Sequence, residues 1–257
     1  MSDPVESYPV HIPANQRPQD QQYLELLGSF FQGANGTTLD KLRAFPKFVP
    51  VGEIGRFLAK NEIFKRVLGV HGNVVECGVY MGGGLMTWAT LSAIYEPLNH
   101  VRRVVGFDTF QGFADVDSRD RGHAENDRVR KGGVAANSYD ELTECARIFD
   151  IYRPLGHIPK VEMVAGDVRQ TMPEYLAKNP HFLVSLLYLD FDLYEPTKAA
   201  IENLLPRMPK GAVIAFDELN IPQWPGETVA VLDSIGIRNL RIERFPFQPQ
   251  ISYAVIE

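Results

Sequence analysis

Cysteine is almost absent from this chain. Cys77 and Cys145 are the only two and form no C-x-x-C pair, so no disulfide framework, zinc site or dithiol motif can be read, and a reducing cytoplasm is the expected setting. Long apolar runs are lacking as well. Met1 to Asp20 is polar and proline-rich, with no stretch suited to a signal peptide or membrane span, and is expected to be a loose tail. Positive charge is in deficit: 26 Lys and Arg face 32 Asp and Glu, a formal net charge of −6. That balance excludes a nucleic-acid surface, because affinity for phosphate backbones needs a concentrated excess of cations. The six histidines are scattered at spacings that do not suit metal ligands. Neither nucleic acid nor membrane is an expected partner.

Three catalytic or nucleotide-binding signatures are also missing. No G-x-G-x-x-G follows a strand, which disfavours a nicotinamide oxidoreductase; no G-K-[ST] completes a P-loop; no G-x-S-x-G forms a nucleophile elbow. What remains is ordinary globular material, 45% hydrophobic and 23% charged over 257 residues, enough to bury the core of one large α/β domain.

Apolar spacing predicts helices over Tyr23–Phe31, Leu39–Phe45 and Glu53–Leu68 ahead of any strand. From Val74 onward short β-rich runs alternate with helical stretches. The strands are Val74–Val79, Val104–Phe107, Val161–Val164, Leu183–Leu189 and Ala212–Phe216; the helices are Leu85–Tyr95, Ser138–Tyr152, a short one after Met172, Pro196–Met208 and Thr228–Ile235. Such alternation implies a doubly wound, mostly parallel sheet with helices on both faces. Leu240–Phe245 and Ile251–Ile256, joined by a short loop, are expected to form a C-terminal antiparallel hairpin. Asp115–Asn137 breaks the rhythm with Asp, Arg, Lys and Gly, and is read as a long exposed loop. The expected organisation is therefore a tail over 1–20, helices over 21–70 that pack on and cover the active site, and one catalytic domain over 71–257.

Acidic residues end several of these strands. Val74–Val79 carries Glu76 and Gly78 into a turn with Gly82, Gly83 and Gly84, where glycine lets the backbone approach a ligand. Asp108 ends the second strand, placed to accept both ribose hydroxyls of a nucleoside; Asp167 follows the third, within reach of an adenine amino group. An acidic rim suits a cofactor bearing a sulfonium and an ammonium better than one bearing a pyrophosphate, which points to S-adenosylmethionine. Asp190 and Asp217 then end two further strands, with Glu218 beside Asp217. Carboxylates without His or Cys select a hard cation, Mg²⁺ before Mn²⁺ or Ca²⁺. Such an ion lowers the pKa of an aliphatic hydroxyl, and Asp192 stands two residues on as the general base. Trp224, in the loop after the last parallel strand, is placed to pack on an apolar sugar face.

Taken in order, Val75-Glu76-Cys77-Gly78-Val79 with Gly82-Gly83, Gly106-Phe107-Asp108-Thr109-Phe110-Gln111-Gly112-Phe113, and Leu189-Asp190-Phe191-Asp192-Leu193-Tyr194-Glu195-Pro196-Thr197 resemble the macrocin-type sugar O-methyltransferases. The resemblance runs from about Pro50 to Ile237, and D-x-D-L-Y-E-x-T is its most specific part. It implies a Rossmann-like methyltransferase fold, and S-adenosylmethionine contacts that extend to Tyr80, Thr109, Phe110 and Val168. It also implies Asp190 and Asp217 as metal ligands, Asp192 as base and a glycoside acceptor. A cytoplasmic homo-oligomer is the expected assembly. One departure stands out: Glu218 occupies the place of the second of two consecutive aspartates usual in the family. The stretch from Arg43 to Arg56 matches the family poorly, so acceptor specificity does not carry over. The competing readings are a catechol-type enzyme acting on a phenol, which favours Lys where Leu193 stands, and a non-catalytic relative, which predicts loss of the acidic positions that are kept here.

Overall fold

A computed structural model describes residues 17–122 and 126–257. Most of the expected tail therefore lies outside the described residues, as do three residues of the charged loop. The chain divides into two compact units, 1–54 and 55–257. The first holds α1 (Pro18–Gly33) and α2 (Thr38–Arg43). Thr37 and Asp40 cap α2 reciprocally, side chain to backbone in both directions, and Lys41 Nζ donates to the Phe31 carbonyl at 2.6 Å. The division falls inside α3 (Val51–Arg66).

The second unit is a seven-stranded sheet in the order β3-β2-β1-β4-β5-β7-β6. Its strands are β1 (Asn73–Cys77), β2 (Val104–Asp108), β3 (Val161–Ala165), β4 (Val184–Leu189), β5 (Val213–Phe216), β6 (Glu243–Phe245) and β7 (Gln248–Val255). The first five pair in parallel and the last two form the antiparallel edge, as the sequence pattern predicts. The chain leaves β1 for β2 on one side and returns to β4 on the other. The sheet thus has a switch point between β1 and β4, where open α/β sheets form their ligand crevice.

Strand periodicity of two sorts the core into two faces. Val75, Cys77, Phe107, Leu187, Leu189, Ile214 and Phe216 point to α6 (Val168–Lys178), α7 (Tyr194–Leu204) and α8 (Pro225–Ser234). Val74, Val104, Leu186, Tyr188, Val213 and Ala215 point to α3 and to α4 (Gly83–Tyr95), around a fully buried Trp88. Near-continuous apolar strands are what burial on both faces demands.

Two expectations need correction. The helix placed after Met172 starts at Val168, because Asp167 caps it by accepting the Arg169 amide at 3.0 Å, and Pro173 is carried inside. The loop over Asp115–Asn137, preceding α5 (Tyr139–Tyr152), is not exposed throughout: Asp120 is 2% and Val129 8% exposed.

Candidate functional site

The turn after β1 is built on left-handed backbone. Gly78 has φ +93° and a side chain there would overlap the Asp190 carbonyl, so glycine is what lets β1 and β4 approach at their carboxyl ends. Tyr80 (φ 50°) and Gly82 (φ 81°) follow, and Gly82 stands at the N-cap of α4 without a side chain to cap it. The first turn of that helix consequently presents backbone amides to whatever lies at the crevice.

Asp108 organises this turn from the neighbouring strand. Its Oδ2 accepts the amides of Val79 at 2.7 Å and Tyr80 at 2.9 Å, and its Oδ1 accepts that of Phe110 at 2.7 Å. A carboxylate has about four acceptor positions, so Oδ1 keeps one for a hydroxyl. Thr109 closes the next turn onto the Gly112 carbonyl at 2.6 Å, and Phe110 packs edge-on against Tyr139. The other two acidic residues of the expected cofactor rim have protein partners of their own. Glu76 is 1% exposed, lies beneath α4 against Gly84, and pairs with Lys60 Nζ at 3.2 Å. Burial pushes its pKa up, and Lys60 opposes the shift. Asp167 caps α6 and is clasped by Arg169, Nε to Oδ2 at 2.9 Å, while Val168 is buried.

At the ends of β4 and β5 the acidic residues converge. Oxygens of Asp190, Asp192 and Glu218 lie within 4.8 Å of one another. Asp217 turns aside: its Oδ1 takes hydrogen bonds from Arg56 Nη2 at 2.6 Å and from the Tyr188 hydroxyl. The sequence therefore pointed to the right strand ends, but the structure groups Asp192 with Asp190 and Glu218 and gives Asp217 a cationic partner. Arg56 Nη2 also lies 3.9 Å from Asp190 Oδ2, and Lys60 sits 3.6 Å from the centre of the Tyr188 ring. These three residues, Arg56, Lys60 and Tyr188, were missed because α3 and mid-β4 carry no motif. The one available signal was the set of Arg and Lys on the otherwise apolar face of α3.

The electrostatics of the cluster follow from its crowding. Burial, then the charge of Asp217, raises Asp190 and Glu218 well above the carboxylate range. The same two causes push Asp192 up to about 7, against the pull of Arg128. Asp217 stays low because Arg56 and then Lys60 outweigh its burial. Glu218 Oε2 is buried with no hydrogen-bond partner among the described residues. An all-oxygen donor set with an orphaned carboxylate oxygen fits a hard divalent cation. Trp224 is half-buried, neither core nor free, and meets Phe113 edge-on with ring centres 6.0 Å apart.

Strand order, switch-point crevice and glycine turn together define a Rossmann-like methyltransferase fold. The chain belongs to the macrocin O-methyltransferase family, whose profile matches residues 58–232. It is similar in structure to the calicheamicin methyltransferase CalS11, with a TM-score of 0.89 and 34% identity over 93% of each chain. In sequence it is 31% identical over 157 residues to the 8-demethyl-8-(2,3-dimethoxy-α-L-rhamnosyl)-tetracenomycin-C 4'-O-methyltransferase of Streptomyces olivaceus, covering 60% of this chain and 55% of that one. It is 28% identical over 152 residues to the demethyldecarbamoylnovobiocin O-methyltransferase of Streptomyces niveus, covering 58% and 53%. The chain thus spans about half the length of the curated relatives it matches.

Proposed function

We propose that this protein transfers the methyl group of S-adenosylmethionine to a sugar hydroxyl of a glycosylated natural product, with Mg²⁺ or another hard divalent cation at its carboxylate cluster. The observation that carries the proposal is the convergence of Asp190, Asp192 and Glu218, with one orphaned oxygen, beside the glycine turn at the β1/β4 switch point. Family membership supplies the reaction class, and the relatives named for a rhamnosyl-tetracenomycin and for TDP-rhamnose support a sugar hydroxyl as acceptor.

In this reading the uncapped start of α4 receives the cofactor's carboxylate, the free position of Asp108 Oδ1 accepts a ribose hydroxyl, and Tyr80, Thr109 and Phe110 shape the pocket. When bound, S-adenosylmethionine supplies a methyl group already activated by its sulfonium, and the divalent ion lowers the pKa of the acceptor hydroxyl. Asp190 and Glu218 would hold the ion, with Asp217, paired through Oδ1 with Arg56 and Tyr188, as a third candidate ligand. Asp192 takes the acceptor proton from its place in the same carboxylate cluster. It does so from left-handed backbone, φ 64°, a strain tolerated where a side chain must be aimed. Phe113 and Trp224 wall the acceptor side. Among the described residues no helix is long and apolar enough to cross a membrane. A cytoplasmic homo-oligomer completes the reading.

The test is product analysis after incubation with S-adenosylmethionine, Mg²⁺ and a panel of rhamnosides and free phenols. Fragmentation that locates the added methyl on the sugar supports the proposal. Methyl transfer to phenols alone refutes the sugar assignment.

A further inference from the structure

The segment that carries Asp192 into α7 has no cap of its own. Leu193, at the N-cap position, has no side-chain acceptor. The Tyr194 amide is instead accepted by Asp120 Oδ1 at 2.6 Å, from a residue 74 positions earlier in the chain. Asp120 is 2% exposed, and its Oδ2 accepts the Asp117 amide at 2.7 Å.

The segment that carries Glu218 is built the same way. Glu227, fully buried in the first turn of α8, reaches back so that Oε1 accepts the Glu218 amide at 2.9 Å. Thr228 Oγ1 accepts the amide of Asn220, itself at φ 66°, at 2.9 Å. Glu227 Oε2 has no partner among the described residues. The two arrangements meet at Gly226, where a side chain would overlap Asp120 Oδ1 and stand 2.6 Å from the Tyr194 nitrogen.

Burying a carboxylate merely to satisfy one or two backbone amides is costly, and a neutral Ser, Thr or Asn would accept such a bond at less desolvation. A feature present at both acidic strand ends therefore calls for a reason at those ends. We propose that Asp120 and Glu227 are positioning residues that fix the backbone of Asp192–Tyr194 and Asp217–Asn220, and through it the aim of the Asp192 and Glu218 carboxylates. The proposal rests on the reading of Asp190, Asp192 and Glu218 as the cation-binding and proton-accepting set. It gives the segment 115–122 a structural role, because Asp120 docks it onto the start of α7.

The experiment compares Asp120→Ala, Asp120→Asn, Glu227→Ala and Glu227→Gln. Mn²⁺ affinity is read by electron paramagnetic resonance, S-adenosylmethionine affinity by calorimetry, and turnover with a rhamnoside acceptor. Residues that orient metal ligands typically change metal affinity or activity by about 10–100-fold when removed. The alanine variants are expected to lose Mn²⁺ affinity and kcat on that scale, with cofactor affinity unchanged. The amide variants, whose single carbonyl oxygen can still accept the Tyr194 N–H (Asp120→Asn) or the Glu218 N–H (Glu227→Gln), are expected to lose much less than the alanine variants. Alanine variants that melt earlier but keep wild-type Mn²⁺ affinity and kcat would overturn the proposal and leave simple helix capping. If the alanine variants do not fold, amide variants that lose both quantities would overturn it instead. A wild type that binds no Mn²⁺ would remove the cation reading alone, and the turnover of the four variants would then decide the positioning role.

Discussion

Arg56 and Asp217 form a 2.6 Å ion pair at the edge of a carboxylate cluster, and Asp217 is only 4% exposed. The guanidinium supplies the positive charge that keeps one member of the cluster ionised. Arg56→Ala leaves a buried carboxylate with the Tyr188 hydroxyl alone, and breaking such a pair typically costs about 3–5 kcal/mol. The melting temperature is expected to fall sharply, and Mg²⁺ is expected to raise it more in the variant than in wild type. Thermal melts with and without Mg²⁺ check this; equal Mg²⁺ shifts in the two proteins would contradict it.

Asp108 holds three backbone amides of the cofactor turn. Hydrogen bonds to a charged group are worth about 1.5–3 kcal/mol each, so Asp108→Ala should loosen the turn and weaken S-adenosylmethionine binding at least tenfold. Calorimetry on a folded variant decides it. Unchanged affinity would detach this strand end from the cofactor.

Trp224 is half-buried, with Phe113 as its aromatic neighbour. Truncating a fully buried Trp costs about 3–5 kcal/mol, and Trp224→Ala should cost clearly less. The expected signature is a raised acceptor KM with unchanged cofactor affinity. A variant that loses core-scale stability and keeps its acceptor KM would refute the contact.

Lys160 gives a pH test of the fold. It is 4% exposed, donates to the Asn99 and Arg102 carbonyls, and burial lowers its pKa to about 8. An unfolded lysine titrates near ~10.4, so between those values the unfolded chain binds more protons and this group makes stability rise with pH. Urea midpoints for wild type minus Lys160→Met are expected to increase from about pH 8 to about pH 10. A flat difference would show that the amine is solvated.

Periodicity and strand-end acidity made the sheet and the hairpin legible in the sequence and drew attention to Asp190, Asp192, Asp217 and Glu218, but did not reveal the grouping of Asp192, in place of Asp217, with Asp190 and Glu218. Partner choice was not legible, because it depends on which face of an element a side chain leaves. Glu76 sits one residue before the end of β1 and is buried under the first turn of α4, paired with Lys60. Asp167 found a local partner in Arg169 two residues away. Asp120 lay in a stretch without apolar periodicity, so nothing in the sequence marked it as buried beside α7.

If a divalent cation held by Asp190 and Glu218 activates the acceptor while Asp192 takes its proton, the cofactor is held separately, at the β1 and β2 turns. The most direct measurement is methyl transfer to a rhamnoside acceptor in excess EDTA and after Mg²⁺ is restored, with S-adenosylmethionine affinity determined under both conditions. The account predicts that transfer disappears with EDTA and returns with Mg²⁺ while cofactor affinity stays the same. Full transfer in excess chelator would contradict it and return the acidic cluster to a structural role.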